Sequence, residues 1–91
     1  MPEACGPEVI RKVILAKVRS RGLQKTICPS EVARSLNPTD WRALMPLVRE
    51  VGCELANSGA IVVTQKGVVV NPETAKGAIR YRVTEQGLEG V

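Results

Sequence analysis

Near Ala60 the spacing of apolar residues changes from the three-and-four rhythm of a helix to the alternation of a strand, and it changes only once. Before that point Val9, Ile10, Val13, Ile14 and Val18 share one side of a helix predicted over about residues 7–21. Pro7 fits its first turn, where a missing N–H costs nothing, and Gly22 is its stop. Cys28-Pro29-Ser30-Glu31 opens a second, short helix over about 29–36, carrying Val32, Ala33 and Leu36. Asn37-Pro38-Thr39-Asp40 joins an Asn cap, a Pro at the first helical position and an acid three residues after the cap. It predicts a third helix running to about Ser58 and stopped by Gly59, with Trp41, Leu44, Val48, Val51 and Leu55 on its core side. Pro46 falls inside this helix, removes one hydrogen bond and is expected to bend it.

After Ala60 the β-branched run Ile61-Val62-Val63-Thr64 reads as a strand. Ile79 to Val83 alternates, burying Ile79, Tyr81 and Val83 while Arg80 and Arg82 point to the other face. Between them lies Gly67 to Gly77, where Asn71-Pro72-Glu73-Thr74-Ala75-Lys76-Gly77 is a connection too long for a tight hairpin, and Val68 to Val70 are expected to extend a ribbon. Thr26 and Ile27 suit a very short strand between the first two helices. The resulting order of elements predicts an α+β fold of winged-helix type: a three-helix, helix-turn-helix core with a small antiparallel sheet and a wing. One domain is expected over 7–83, with 1–6 and 84–91 as flexible termini.

The size of the chain limits its chemistry. A domain of 91 residues buries only about 60–65% of its unfolded surface and has little room for an enclosed active-site cavity. There is no histidine, and the three cysteines, Cys5, Cys28 and Cys53, lie far apart in sequence, so the usual zinc and general-base sets lack their parts. Cys28, at a helix N-terminus, is the one site with nucleophilic character, but no base accompanies it, and a free Cys is more often a buried structural residue or a cap. The glycines at 67 and 77 match no P-loop or dinucleotide fingerprint. No enzyme activity, cofactor, metal or small-molecule substrate is expected. The N-terminal segment lacks the basic and apolar regions of a signal peptide, and Arg11, Lys12 and Lys17 interrupt the most apolar helix. A cytoplasmic protein with free thiols and no membrane association is the expectation.

Four ordered strings, Cys28-Pro29-Ser30-Glu31-Val32-Ala33-Arg34, Trp41-Arg42-Ala43-Leu44-Met45-Pro46-Leu47-Val48-Arg49, Thr64-Gln65-Lys66-Gly67 and Ala78-Ile79-Arg80-Tyr81-Arg82, together resemble an uncharacterised bacterial family. That family is catalogued only as a domain of unknown function and is placed among winged-helix folds. The resemblance spans roughly residues 8–83 and implies the fold. It implies no activity, cofactor or catalytic residue.

The net charge of +4 is unevenly distributed. Arg11, Lys12, Lys17, Arg19, Arg21 and Lys25 oppose only Glu8, giving +5 around the first helix. Lys66, Lys76, Arg80 and Arg82 oppose only Glu73, giving +3 over residues 60–82. In the third helix Arg42 and Arg49 are outnumbered by Asp40, Glu50 and Glu54, giving −1. Arg42, Arg49 and Cys53 share the helix face that enters the major groove in a helix-turn-helix, but its acids also suit a solvated face. Arg80 and Arg82, about 7 Å apart along a strand, suit phosphate contact or charged protection of a sheet edge. The first helix suits solubility, backbone contact or a partner protein. Base stacking is disfavoured, because Trp41 and Tyr81 are both assigned to the core and there is no Phe. The expected partner is double-stranded DNA, held mainly through phosphates by Arg42, Arg49, Lys66, Lys76, Arg80 and Arg82. The alternative is a protein-interaction or dimerisation module built on the acidic flank of the third helix and on Val68, Val69 and Val70.

Overall fold

The computed structural model describes residues 6–89. Helices α1 (Pro7–Arg21) and α2 (Pro29–Leu36) are followed by a 3-10 turn, Trp41–Leu44, that runs into α3 (Met45–Asn57). Strands β1 (Ile61–Gln65), β2 (Val68–Val69) and β3 (Arg80–Val83) precede a final short helix, α4 (Glu85–Glu89). The strands form an antiparallel sheet in the order β2-β1-β3. Ile27 extends it past β3: Ile27 and Tyr81 exchange both backbone hydrogen bonds at 2.8 Å. Three helices packed on this sheet make an α+β, winged-helix-like arrangement, in agreement with the change of period at Ala60.

The core follows the sequence pattern closely. Ile10, Ile14 and Val18 of α1 are wholly buried, with Val48, Val51 and Leu55 of α3, Ile61 and Val63 of β1, and Ile79, Tyr81 and Val83 at β3. The end of α1 and the start of α2 are tied together by Arg21. Its guanidinium donates to the Thr26 carbonyl at 2.8 Å and pairs with Glu31 at 2.7 Å. Glu31 in turn accepts the Cys28 N–H at 2.8 Å, closing the first turn of α2. That bond, with Arg21 beside it, holds the Glu31 carboxyl below its ordinary pKa against the opposing effect of burial.

Two expectations are corrected. The third helix does not start at Pro38. The Asn37 side-chain oxygen instead closes a local turn, accepting the Asp40 N–H at 3.1 Å and the Thr39 hydroxyl at 3.0 Å. The reason is Pro46. An α-helix running through it would bring its ring against the carbonyl of Arg42, so the chain passes a 3-10 turn and begins α3 afresh with Pro46 in the first turn. The expected bend is therefore a boundary, and Trp41 and Leu44, on the turn, are only half-buried. At the other end, residues 85–89, assigned to a flexible terminus, form α4. The Thr84 hydroxyl accepts the Gly87 N–H at 3.0 Å, Gln86 donates to the Ser58 carbonyl at 2.8 Å, and Arg19 donates to the Gly87 carbonyl at 2.9 Å. Gly87 lies so near the Ala60 carbonyl that a Cβ there would stand 2.2 Å from its oxygen. Cys5 and the other residues of 1–5, with 90–91, lie outside the described residues.

A tight hairpin joins β1 to β2. Lys66 and Gly67, with φ of 51° and 82°, make a two-residue turn that pairs Gln65 with Val68. Positive φ at both positions is the geometry that matches strand twist. Val68 and Val69 extend the ribbon as expected, and the long connection lies after them.

Tyr81 crosses beneath α3 at Gly52, with its hydroxyl donating to the Val48 carbonyl at 3.5 Å. A Cβ on residue 52 would lie 2.3 Å from the Tyr81 hydroxyl oxygen. Gly52→Ala is therefore expected to cost about 2 kcal/mol or more through overpacking, seen as a drop in thermal midpoint of roughly 8–16 °C. Burial raises the Tyr81 pKa from 10.0 to about 12. The folded state thus favours the protonated phenol, and this stability, full below pH 10, is lost as pH rises towards 12. Against Tyr81→Phe, denaturant titrations are expected to show wild-type stability falling by about 1.4 kcal/mol per pH unit in that window, with parallel curves below it.

Candidate nucleic-acid interface

The connection after β2 is fastened to the body at several points. Asn71 folds its start, accepting the Ala75 N–H at 2.9 Å through its carbonyl and the Glu73 N–H at 2.8 Å through its side chain. Asn57 of α3 donates to the Glu73 carboxylate at 3.2 Å, and Arg49 of α3 donates to the Gly77 carbonyl at 3.2 Å. From β1, the Gln65 amide donates to the carbonyls of Lys76 and Ala78. This segment therefore lies along the Arg49, Cys53 and Asn57 side of α3.

That placement engages part of the side of α3 that enters the major groove in a helix-turn-helix. Arg49 is half-buried and engaged by the loop, and Cys53 lies beside Glu73. Burial, followed by the charges of Glu73 and Glu54, raises the Cys53 thiol pKa. Arg42 is on the 3-10 turn before α3, where its guanidinium carbon sits 4.5 Å from the centre of the Trp41 ring. Arg34 of α2 sits 4.4 Å from the same centre. Two guanidiniums thus lie over the Trp41 ring. Cation–π contact of this kind leaves the N–H edges of both arginines free to meet an anion. The sequence reading did not include Arg34, because its nearness to Trp41 depends on how α2 meets the turn. Trp41 is half-buried rather than in the core, with two guanidiniums over its ring.

Lys66, Lys76 and Arg80 come together. They line one open groove of about 680 Å³ at the base of the wing, with Cys28, Gln65, Val68, Val70, Ala78 and Ile79. No carboxylate among the described residues lines it. Glu73, the one acid of residues 60–82, is turned to Asn57 instead. Arg80 leans across the sheet, its guanidinium donating to the Thr26 hydroxyl and carbonyl. Arg82 stands opposite Val62 on the same strand face as Arg80, half-buried. Among the described residues, none of Lys66, Lys76, Arg80 and Arg82 forms an ion pair.

The charge of α1 is partly consumed inside the fold. Arg11 pairs with Glu8 and with Glu54 of α3, each at 3.7 Å, Arg19 serves α4, and Arg21 serves α2. Among the described residues, no group of three His, Cys, Asp or Glu side chains is placed to hold a metal ion, and no helix is long and apolar enough to cross a membrane.

The fastening of the loop gives Arg49 a structural task. Arg49→Ala is expected to cost about 1 kcal/mol, the net worth of one hydrogen bond, and to speed amide hydrogen exchange around Ala75 to Ala78. The reverse pattern, unchanged exchange with weakened nucleic-acid binding, would return Arg49 to the interface.

No curated protein matches the chain. A family model described as "Protein of unknown function (DUF3253)" matches residues 7–84, and the chain belongs to that family.

Proposed function

We propose that this member of the DUF3253 family binds double-stranded nucleic acid through its phosphate backbone, with DNA as the expected duplex. The observation that carries the reading is the convergence of Lys66, Lys76 and Arg80 on one groove that no carboxylate among the described residues lines. Arg82 continues that set along β3. Arg34 and Arg42 add a second cationic point at the turn between α2 and α3. Tethering of Arg49 and the acids of α3 favour backbone contact over base readout. The proposal includes no catalytic step.

Fluorescence anisotropy of a labelled duplex at several salt concentrations tests it. Neutralising about four phosphates gives a log–log salt slope of roughly −3.6, and Lys66→Ala with Lys76→Ala is expected to make it shallower by about 2. An absence of binding at low salt, or binding indifferent to salt, overturns the reading.

One observation favours a second reading, that of a module for protein association. Val68 and Val69 are 64% and 56% exposed on β2, which stands at the edge of the sheet. An apolar edge strand is a template for a further strand. Sedimentation over a range of concentrations decides whether the chain self-associates, with Val69→Lys expected to abolish any dimer.

A further inference from the structure

We propose that the groove at the base of the wing binds a small anion with an apolar body, such as an aliphatic or aromatic carboxylate. Its size, about 680 Å³, falls within the roughly 300–1,000 Å³ of small-molecule sites. Its lining has two chemistries. Lys66, Lys76 and Arg80 supply positive charge, and Val68, Val70 and Ile79 supply apolar surface. An inorganic anion would satisfy the first and leave the valines in water. A neutral apolar molecule would cover the valines and strip water from cations left without a counter-charge. Only a ligand carrying both characters matches the whole surface.

The walls are also held in place before any ligand arrives. Gln65 grips the carbonyls on either side of Gly77, while Arg49 holds the Gly77 carbonyl from α3. Little ordering of the loop is then charged against binding. Arg80 uses part of its guanidinium on Thr26 and keeps further N–H groups for a carboxylate. Occupation of the groove takes Lys66, Lys76 and Arg80 away from phosphates, so ligand and duplex exclude one another. That exclusion, unlike the site itself, rests on the function proposed above.

Octanoate titrated into the ¹⁵N-labelled full chain tests the site. Saturable shifts at the amides of Val68, Val70 and Ala78, weakened at least about tenfold by Lys66→Ala with Lys76→Ala, support it. Both lysines are exposed, and unchanged α1 resonances verify that the double variant is folded. Absence of saturable shifts at millimolar octanoate, shifts indifferent to the double variant, or equal affinity for octanol or for acetate overturns it. Displacement of a labelled duplex by octanoate supports the exclusion, and simultaneous binding overturns the exclusion alone. A duplex that never binds removes the proposed function, while the octanoate titration still decides the groove.

Discussion

Tyr81 is the point through which the rest of the molecule is organised. Its backbone pairs with Ile27 on one side and lies in register with Val63 on the other, so it joins the segment before α2 to the central strand. Its side chain runs under α3 at the single position, Gly52, where no Cβ obstructs it, and its hydroxyl reaches the Val48 carbonyl. The ring fills volume that short aliphatic side chains would leave empty. In a chain with 2% aromatic residues and no Phe, one large side chain at the meeting of helices and sheet does what several do in an ordinary core. Fixing β3 in this way also fixes Arg80 and Arg82 on the opposite face, since side chains alternate along a strand.

The second constraint is the way the wing is held. A connection from β2 to β3 with no regular structure would normally be mobile. Here contacts from Arg49 and Asn57 of α3 and from Gln65 of β1 hold it down. The same contacts that cover the outer side of α3 turn Glu73 towards that helix and away from Lys66 and Lys76. Charge segregation at the wing is thus a product of loop packing, and the groove and the closed face of α3 have one cause.

Features set by neighbouring residues were legible in the sequence. Pro7 and Gly22 bound α1, Cys28-Pro29 opens α2, and the alternation of Ile79, Tyr81 and Val83 places β3. The start of α3 was misread because two local signals compete. Asn37-Pro38 looks like a helix start, but Pro46 forbids a continuous helix through Arg42, and the Asn37 side chain closes a turn instead. The tail was misread because α4, five residues with a central Gly, is too short to form by itself. It is held by Ser58, Ala60 and Arg19, all distant in sequence. The candidate site divides the same way. Lys66, Lys76, Arg80 and Arg82 stand out by charge alone, whereas the placement of Arg34 and Arg42 over Trp41 and the tethering of Arg49 to Gly77 depend on tertiary contacts that no local pattern encodes.

These differences change what the charge distribution means. The basic surplus of α1 looked like the largest in the chain, yet Arg11, Arg19 and Arg21 hold α3, α4 and α2 in place and so serve the fold. Among the described residues the four cations of the wing form no ion pair, and neither do Lys12, Lys17 and Lys25. Burial and pairing, rather than the count of charges, decide which cations can meet an external anion. By that measure exposed cations without an ion pair remain at the wing, at the turn before α3, and at Lys12 and Lys25. The side of α3 that a major-groove reader would present is covered by its own loop. On the proposed function, this distribution favours contact with phosphates over the edges of bases.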